Sequence, residues 1–421
     1  MEIIDSKNVV HIIQKTLSLI DSRLVNHGSR VAYILYKMMQ YEQKYSQQEM
    51  IDVCLLGILH DIGAFKTDEI DKIVQFETMD SWHHSIYGYL FVRNMTPLFR
   101  LADSILYHHL DQKDCASVSC KNMWIANRIH LADRIDVYLQ YEHGTVDETF
   151  FEPYRNTVFS SADINLFLMA NEKYKIVQAI TGGTYINDFS DFIENIKFTD
   201  DEIDRYLKLL AYSIDFRSEF TVAHTITTVS ISVAVAKMLE LSEQDVKKVY
   251  YGAWLHDIGK IAIPLSILES KGKLDDRQMQ TMQTHVEIAK EILNGYVDPE
   301  ICKIAVRHHE KLDGSGYPKG LVASDLSVKE RIVAIADIMS ALNGKRSYKE
   351  AFPKEKIIAI LTEMGDKNKL AKDIVAQIVL HYDGIMENAN FASQQTLSTY
   401  KNMQKEYADL CNHFEFMTNN R

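Results

Sequence analysis

The sequence has few of the residues that mark secreted or membrane proteins. Its 421 residues include five cysteines, an odd number without Cys-x-x-Cys spacing, which disfavours a disulfide framework and a zinc knuckle. No apolar run approaches the roughly 20 residues of a membrane span, and the N-terminus lacks a basic start followed by an apolar run. We therefore expect a cytoplasmic protein that neither enters nor crosses a membrane.

Basic charge is also scarce. The chain has 46 Lys and Arg against 58 Asp and Glu, a formal net charge of −12. This balance argues against DNA, RNA or an anionic membrane surface as a partner. One segment differs: between Lys303 and Lys349 there are nine Lys and Arg against five Asp and Glu. A phosphate-bearing substrate would meet positive charge in this segment.

Proline is scarce as well, with six residues, and alternating β-branched runs are few. Apolar residues recur at helical intervals over 203–214 and again over 397–414. The sequence therefore predicts an all-α fold. Its length suits two or three domains. We place one helical domain at residues 1–200, a second at 201–386 and a C-terminal helical tail at 387–421, with the helix around Ile203 as the connection.

One constellation of histidines and aspartates occurs twice, in the same order. The first copy contains His27, His60-Asp61-Ile62-Gly63, His84, His108-His109 and Ala132-Asp133, and the second contains His224, His256-Asp257-Ile258-Gly259, His285, His308-His309 and Ala336-Asp337. Fourteen residues before each His-Asp pair, Ser46-x-x-Glu49 and Ser242-x-x-Asp245 are typical of a capping box. Each pair should therefore follow a helix of about three turns that Gly63 or Gly259 ends.

These residue types predict a metal-dependent hydrolase in the second copy. Histidine and carboxylate ligands without thiolates suit iron, manganese or zinc. Two such ions, roughly 3.5–4 Å apart, can hold the attacking and leaving oxygens of a phosphodiester. A single histidine more often makes a structural hydrogen bond, but seven ligand-type residues in order favour a metal centre. The glycines that follow His309 let the backbone approach a phosphate closely.

The stretch from about Tyr212 to Asp383 resembles the HD-GYP phosphodiesterases, which are bacterial cyclic-dinucleotide hydrolases. The similarity is carried by His256-Asp257 and by His308-His309-Glu310-Lys311-Leu312-Asp313-Gly314-Ser315-Gly316-Tyr317-Pro318. The resemblance implies two divalent ions, iron or manganese, bound by His224, His256, Asp257, His285, His308, His309 and Asp337.

The resemblance also implies roles around the metal ions. Asp257 would bridge them, and Lys260 would meet the phosphate, so these two residues are the expected catalytic pair. Arg346 and Lys349 match basic residues that hold the substrate's phosphate groups. The substrate-binding loop would contain Gly314, Gly316, Tyr317 and Pro318.

One position departs from part of the family. Some members bind a third ion through a glutamate four residues before the first histidine. Here that position is Phe220, and Glu219 lies one residue away, which on a helix turns the side chain by roughly 100°. We therefore expect two ions.

The first copy resembles the broader HD phosphohydrolases. It has their four defining residues, and with three more histidines they form a candidate second metal site: His27, His60, Asp61, His84, His108, His109 and Asp133. It lacks the Gly-x-Gly-Tyr-Pro loop, and Ala64 occupies the place of Lys260. Two interpretations stay open: a phosphomonoesterase, such as a 5'-nucleotidase acting on the linear product, or a scaffold that regulates or dimerises the second domain.

The resemblance implies opening of a cyclic dinucleotide to its linear 5'-phosphorylated form. Cyclic di-GMP is the family's usual substrate. An HD domain placed before an HD-GYP domain also resembles the bacterial 3'3'-cyclic GMP-AMP (3'3'-cGAMP) phosphodiesterases, which ranks 3'3'-cGAMP level with cyclic di-GMP or slightly above it. The alternatives are a non-catalytic HD module that senses nucleotides or acts as a scaffold, and another HD nucleotide phosphohydrolase.

Overall fold

The computed structural model describes residues 4–19, 25–66, 82–141, 144–216, 221–270, 272–344 and 351–419. These residues form α-helices, short 3-10 turns and connecting loops, and no β-strand occurs among them. The all-α prediction is therefore confirmed. Of the helices described, none combines the length and the apolar character needed to cross a membrane.

The first half of the described chain contains helices that begin between residues 6 and 200. They are α1 (Ser6–Ser18), α2 (His27–Glu42), α3 (Gln47–Leu59), α4 (Trp82–Met95), α5 (Asp103–Leu106), α6 (Met123–Tyr141), α7 (Glu148–Phe151), α8 (Ser161–Tyr174), α9 (Ile176–Thr181), α10 (Tyr185–Glu194) and α11 (Asp200–Asp215). The expected helix around Ile203 is α11.

The second half contains helices that begin between residues 224 and 382. They are α12 (His224–Met238), α13 (Glu243–Leu255), α14 (Leu265–Leu268), α15 (Asp276–Gln283), α16 (His285–Leu293), α17 (Pro299–Val306), α18 (Val328–Asn343), α19 (Lys354–Asp366), α20 (Lys372–Leu380) and α21 (Tyr382–Asn419). The helix predicted over 397–414 lies within α21.

Two compact units make up the chain. The N-terminal unit consists of residues 9–209 together with 405–421, and the C-terminal unit consists of residues 1–8 together with 210–404. The first division falls within α11 and the second within α21. The domain limits at residues 200 and 386 stay a prediction.

The repeat in the sequence is also a repeat in packing. In the N-terminal unit α2 packs against α3 and α6, α5 packs against α6, and α4 packs against the 3-10 turn Ile62–Lys66. In the C-terminal unit α12 packs against α13 and α18, α17 packs against α18, and α16 packs against the 3-10 turn Ile258–Ala262. Corresponding helices therefore make corresponding contacts in the two units.

Serine caps start the helices that lead to the His-Asp pairs, as the sequence predicted. The Ser46 hydroxyl accepts the backbone N–H of Glu49, and the Glu49 carboxylate accepts the N–H of Ser46, which completes a capping box. The Ser242 hydroxyl accepts the backbone N–H of Asp245 at 3.1 Å. Both helices have 13 residues, so each delivers its histidine at the same distance from its cap.

Gly63 and Gly259 have a role that differs from the predicted one. Both helices end four residues earlier, and the glycines lie in the following 3-10 turns without a positive φ. A Cβ atom on Gly63 would lie 1.9 Å from the carbonyl oxygen of His84, and one on Gly259 would lie 1.8 Å from that of His285. The prediction that these glycines end the helices is therefore wrong. Their bare backbones let α4 and α16 approach the His-Asp turns.

The last part of α21 packs within the N-terminal unit, on α4. The ring of Tyr407 stacks on Tyr87 with centroids 4.0 Å apart, and Phe414 stacks on Trp82 at 4.4 Å. The Tyr407 hydroxyl and His83 Nδ1 are 2.5 Å apart. Offset or tilted ring pairs of this kind add to the hydrophobic burial of large side chains. Residues 405–414 thus pack against α4, the helix that also contains His84.

Candidate metal centres

Helix ends bring the seven predicted ligands of the C-terminal unit together. Helices α12 and α16 begin at His224 and His285, and α13 ends one residue before His256. His308 and His309 follow the end of α17, and Asp337 lies in α18. Because most of these side chains stand at helix termini, several helices contribute to one small volume.

A single carboxylate stands between four imidazoles. Asp257 Oδ2 is 3.5 Å from Nε2 of His224 and 3.2 Å from Nε2 of His256. Its other oxygen, Oδ1, is 3.6 Å from Nε2 of His285 and 3.9 Å from Nε2 of His308. Each oxygen therefore belongs to a different pair of histidines, which is the arrangement that a bridging ligand requires.

A second carboxylate reaches both sides of the same centre. Asp337 Oδ1 is 3.2 Å from His224 Nε2, and Asp337 Oδ2 is 3.6 Å from Nδ1 of His309. Two groups have ligand atoms that lie within 4.8 Å of one another, namely His224, His256 and Asp257, and His285, His308 and His309. The centre therefore has two subsites, each of which could hold one ion.

Backbone carbonyls fix the orientation of the imidazoles. Nδ1 of His256, His285 and His308 each donates to the carbonyl oxygen three residues earlier, at 2.6–2.7 Å. Nδ1 of His224 lies 3.0 Å from the Ser340 hydroxyl. These hydrogen bonds leave Nε2 directed at the centre, and such outer partners are typical of metal-bound histidines.

The electrostatics of the centre fit divalent cations. Burial lowers the pKa of His308 well below its usual range and that of His309 to about 3, so both rings are neutral and can donate an electron pair. Asp257 Oδ1 and His256 Nε2 are buried and form no hydrogen bond with the described residues. Buried polar atoms normally have a partner. A bound cation would supply it for both atoms.

The lysine and the loop that the resemblance implied lie beside this centre. Lys260 Nζ is 2.6 Å from Asp257 Oδ2. The Tyr317 ring lies over His309 with centroids 4.6 Å apart, and its backbone N–H donates to the His309 carbonyl. Gly314 has a φ of 79°, and a Cβ on Gly316 would lie 2.4 Å from the backbone nitrogen of Lys311. Both glycines are therefore needed for the path of the loop.

Several predicted positions lie outside the described residues. These are Arg346 and Lys349, which were expected to hold phosphate, and Glu219 and Phe220, on which the number of ions depended. Pro318, the last residue of the predicted loop, is exposed.

Three further residues support the two centres and were not predicted from the sequence, namely Glu310, Ser340 and Asp136. The buried Glu310 carboxylate accepts the backbone N–H groups of Lys319 at 2.8 Å and Leu321 at 2.9 Å, which holds the loop in place. Ser340 and Asp136 each lie three residues after an aspartate of the centre, on the same helix face. That spacing is a signal from which both could have been found.

The N-terminal unit repeats the geometry around Asp61. Its Oδ2 is 3.7 Å from Nε2 of His27 and 3.3 Å from Nε2 of His60. Its Oδ1 is 3.6 Å from Nε2 of His84 and 3.9 Å from Nε2 of His108. The pairing of carboxylate oxygens with histidines is therefore the same as at Asp257.

The remaining N-terminal ligands also match. Asp133 Oδ1 is 3.2 Å from His27 Nε2, and Asp133 Oδ2 is 3.9 Å from His109 Nδ1. Ligand atoms within 4.8 Å of one another form two groups, namely His27, His60 and Asp133, and Asp61, His84, His108 and His109. Both oxygens of Asp61 are buried without a hydrogen bond to the described residues. This centre fits divalent cations by the same criterion.

The surroundings of the N-terminal centre are more highly charged. Nδ1 of His27 donates to Asp136 at 2.7 Å, and Arg30 makes two hydrogen bonds to the same carboxylate. Arg134 pairs with Asp133 at 2.7 Å. Burial disfavours the charged imidazole of His27, but hydrogen bonds with Asp133 and Asp136 outweigh it and raise its pKa to about 10.

Family models match both units. Residues 24–138 match one HD domain model, and residues 208–374 match a second model that is also described as an HD domain. The chain contains two HD domains. HD domains bind divalent metal ions, and the His and Asp clusters described above lie within the two matched segments.

Known relatives cover one or both HD domains. The 3'3'-cGAMP-specific phosphodiesterase 1 of Vibrio cholerae is 29% identical over 377 residues, which are 84% of this chain and 86% of the relative. The cyclic di-GMP phosphodiesterase response regulator RpfG of Xanthomonas campestris is 42% identical over 158 residues, or 37% of this chain and 42% of the relative. The crystal structure of a cyclic GMP-AMP specific phosphodiesterase of V. cholerae covers 90% of this chain with a TM-score of 0.57 at 17% identity, so the two share a fold.

Proposed function

We propose that the C-terminal HD domain is a metal-dependent phosphodiesterase that opens a cyclic dinucleotide to the linear 5'-phosphorylated dinucleotide. The observation that carries the proposal is Asp257, whose two oxygens are each within 4 Å of a different pair of imidazole nitrogens. A centre for two ions suits the in-line displacement at a phosphodiester. The relatives of this chain are named for hydrolysis of such substrates.

We propose 3'3'-cGAMP as the preferred substrate and cyclic di-GMP as the runner-up. Relatives named for 3'3'-cGAMP align over 84% and 79% of this chain, whereas relatives named for cyclic di-GMP align over 52% and 37% of it. Both substrates carry two phosphodiesters and differ in one purine. The ranking therefore concerns recognition of the base, and the chemistry at phosphorus is the same for both.

Two ions, iron or manganese, would be held by His224, His256, Asp257, His285, His308, His309 and Asp337. When bound, they would activate the attacking water and neutralise charge on the phosphate oxygens. In the hydrolysis the water oxygen forms the new bond to phosphorus, the bond to the 3'-oxygen breaks, and the phosphate stays on the 5' side. The leaving 3'-oxygen receives a proton.

The protein's own residues supply charge and shape. Lys260 lies against Asp257 and can turn its ammonium towards a phosphate oxygen beside it. The loop at Gly314–Pro318, held by Glu310 and by the His309 carbonyl, encloses the His285–His308–His309 side. Arg346 and Lys349 are proposed to bind the phosphate groups in the ground state.

For the N-terminal HD domain we propose a second activity, removal of the 5'-phosphate from the linear product. The complete ligand set around Asp61 favours this activity, because a scaffold has no need of seven metal-ligand side chains. No Gly-x-Gly-Tyr-Pro loop follows His109. A terminal phosphate is a small substrate that needs no such loop.

The test of the first proposal is a panel of cyclic dinucleotides, namely 3'3'-cGAMP, cyclic di-GMP and cyclic di-AMP, incubated with iron- or manganese-loaded full-length protein. Chromatography should reveal a linear 5'-phosphorylated product, formed fastest from 3'3'-cGAMP. Binding without turnover would identify a sensing module instead. Hydrolysis of nucleoside triphosphates in place of the panel would identify another HD phosphohydrolase.

The second activity is tested by the full-length double variant His60→Ala/Asp61→Ala. We expect the 5'-phosphorylated dinucleotide to accumulate and its dephosphorylated form to vanish, while ring opening continues. Metal analysis of the isolated C-terminal half should give two ions per chain, and three ions would contradict the proposed C-terminal centre. If wild type never releases inorganic phosphate, the N-terminal domain is a scaffold.

A further inference from the structure

Lys311 lies beside the C-terminal centre but has no part in the ligand set. It follows His308, His309 and Glu310 directly, so its backbone position is tied to the centre. The backbone N–H of Gly314 donates to the Lys311 carbonyl at 3.0 Å, and Gly316 approaches the Lys311 nitrogen so closely that a Cβ there would clash. The loop therefore fixes where the lysine side chain starts.

The Lys311 ammonium forms no ion pair with a described residue. The side chain is half-buried, and among the described residues no carboxylate lies within ion-pair distance of it and no hydrogen bond forms. Lys260, by contrast, is 2.6 Å from Asp257. Of the carboxylates that attract the ammonium, Asp337, a ligand of the centre, has the largest effect. Partly desolvated charges are normally paired, and exceptions to such rules concentrate at functional sites.

The equivalent position of the N-terminal copy, which is not proposed to bind a cyclic dinucleotide, has a different charge. Counting from the second histidine of each His-His pair, the equivalent of Lys311 is Asp111. Asp111 lies 3.4 Å from Lys113, so its charge is locally compensated. The two copies have the same ligand types but opposite charge at this one position. A cation suits the copy that is proposed to take up a cyclic molecule with two phosphodiesters.

We propose that Lys311 is a substrate-binding residue whose ammonium donates to a non-bridging oxygen of the phosphate at the His285–His308–His309 subsite. The inference rests on the proposed function of the C-terminal domain and adds a residue that its ligand set does not include. The phosphate would supply an ion-pair partner that none of the described residues provides. A charge-assisted hydrogen bond of this kind typically changes affinity by about tenfold to a hundredfold.

The test compares Lys311→Ala and Lys311→Arg with the matched control Lys319→Ala, which removes an exposed lysine from the same loop. In metal-loaded full-length protein, Lys311→Ala should raise KM for 3'3'-cGAMP about tenfold with a smaller change in kcat, because the contact is already made in the ground state. Lys311→Arg should restore most of the affinity. Lys319→Ala should behave as wild type, and all four proteins should hold the same amount of metal.

A binding measurement separates this inference from the proposed function. Calorimetry with the linear dinucleotide, in protein that also carries His60→Ala/Asp61→Ala, should show that Lys311→Ala weakens binding of the 5'-phosphorylated form and leaves the unphosphorylated form unchanged. Equal affinities in wild type and Lys311→Ala, with metal retained, would overturn the role of Lys311. Metal loss that Lys311→Arg does not restore would also overturn it, by showing a structural role. If wild type hydrolyses no cyclic dinucleotide, the proposed function fails, and calorimetry still decides the role of Lys311.

Discussion

The two HD domains have almost the same ligand geometry and differ in what surrounds it. At Asp61 and Asp257 the four carboxylate–imidazole distances agree to within about 0.2 Å, position by position. Exposure differs much more: the His309 side chain is 24% exposed, whereas that of His109 is 3% exposed. Ligand residues alone therefore do not distinguish an open centre from a closed one.

The charged side chains around the ligands also differ between the two centres. The C-terminal centre has Lys260 beside its central carboxylate, and Lys311 follows two residues after His309 without an ion-pair partner among the described residues. In the N-terminal centre Ala64 occupies the place of Lys260, and Arg134 pairs with Asp133. Lys260 and Arg134 each pair with a carboxylate ligand of their own centre, so the difference in available positive charge lies at Lys311.

The first histidine of each centre shows how neighbours tune one ligand. His27 donates to the Asp136 carboxylate, and its pKa is raised, as described above. Burial lowers the pKa of His224, which Asp337 only partly offsets, and its Nδ1 has the neutral Ser340 as partner. A carboxylate partner raises the basicity of a metal-bound imidazole. We therefore expect the N-terminal centre to bind its ion more tightly.

The largest expected effect comes from the central carboxylates. Asp257→Asn should lower ring opening by about a thousandfold or more, because one change removes a ligand that both subsites share. Asp61→Asn, the matched change in the other domain, should leave ring opening within about twofold of wild type. Product chromatography and circular dichroism measure activity and fold. Equal losses in both variants would mean that the two centres act as one.

A smaller effect is expected at the glycines after the His-Asp pairs. Gly259→Ala should displace His285 and lower ring opening about a hundredfold, since a shift of roughly 1 Å in a catalytic group costs that much. The overpacking should also reduce the free energy of unfolding by about 1–3 kcal/mol. Gly63→Ala should destabilise by a similar amount and spare ring opening. Thermal unfolding and kinetics test both variants, and a fully active Gly259→Ala would refute the close approach of α16.

The next prediction concerns Lys260, which is present in the C-terminal centre and is replaced by Ala64 in the N-terminal one. Lys260→Ala should lower kcat about tenfold to a hundredfold, the value of one charge-assisted hydrogen bond to the transition state, with little change in KM. The reverse change, Ala64→Lys, should not create ring opening in the N-terminal domain, which has no substrate loop. Steady-state kinetics on Lys260→Ala and on Ala64→Lys/Asp257→Asn provide the test. Unchanged kcat in Lys260→Ala would mean that the lysine only neutralises Asp257.

The smallest effect concerns the partners of the first histidines. Ser340→Ala should weaken metal binding at the C-terminal centre about tenfold, because an outer hydrogen bond that orients a ligand is lost. Ser340→Asp should strengthen it and bring the centre closer to its N-terminal counterpart. Competition with a chelator measures both affinities. Identical affinity in wild type, Ser340→Ala and Ser340→Asp would show that this position does not tune the ion.

Much of this arrangement could be predicted from the sequence. The order of His27, His60, Asp61 and Asp133, which recurs from His224 onwards with different spacing, indicated that the ligand-type residues of each half would lie together. Serine caps fixed the start of α3 and α13, so the distance to each His-Asp pair followed from helix length. These features are local in the chain, and local rules describe them well.

Features that depend on contacts between distant segments could not be predicted. The role of Gly63 was missed because it depends on the close approach of His84 to its backbone. His84 lies in α4, a separate helix that follows later in the chain. The anchoring of the loop by Glu310 was missed because the Glu310 carboxylate accepts the backbone N–H groups of Lys319 and Leu321. The types of side chain in the loop do not indicate hydrogen bonds of this kind. The difference in exposure between His109 and His309 likewise arises from packing.

The packing of residues 405–414 on α4 has a consequence for how the chain is made. A ribosome releases the N-terminus first, and domains usually fold in the order of their synthesis. Here Tyr87 and Trp82 obtain their stacking partners, Tyr407 and Phe414, only when residues 405–414 emerge. The N-terminal unit can therefore be completed only after the C-terminal HD domain, which precedes these residues in the chain, has left the ribosome.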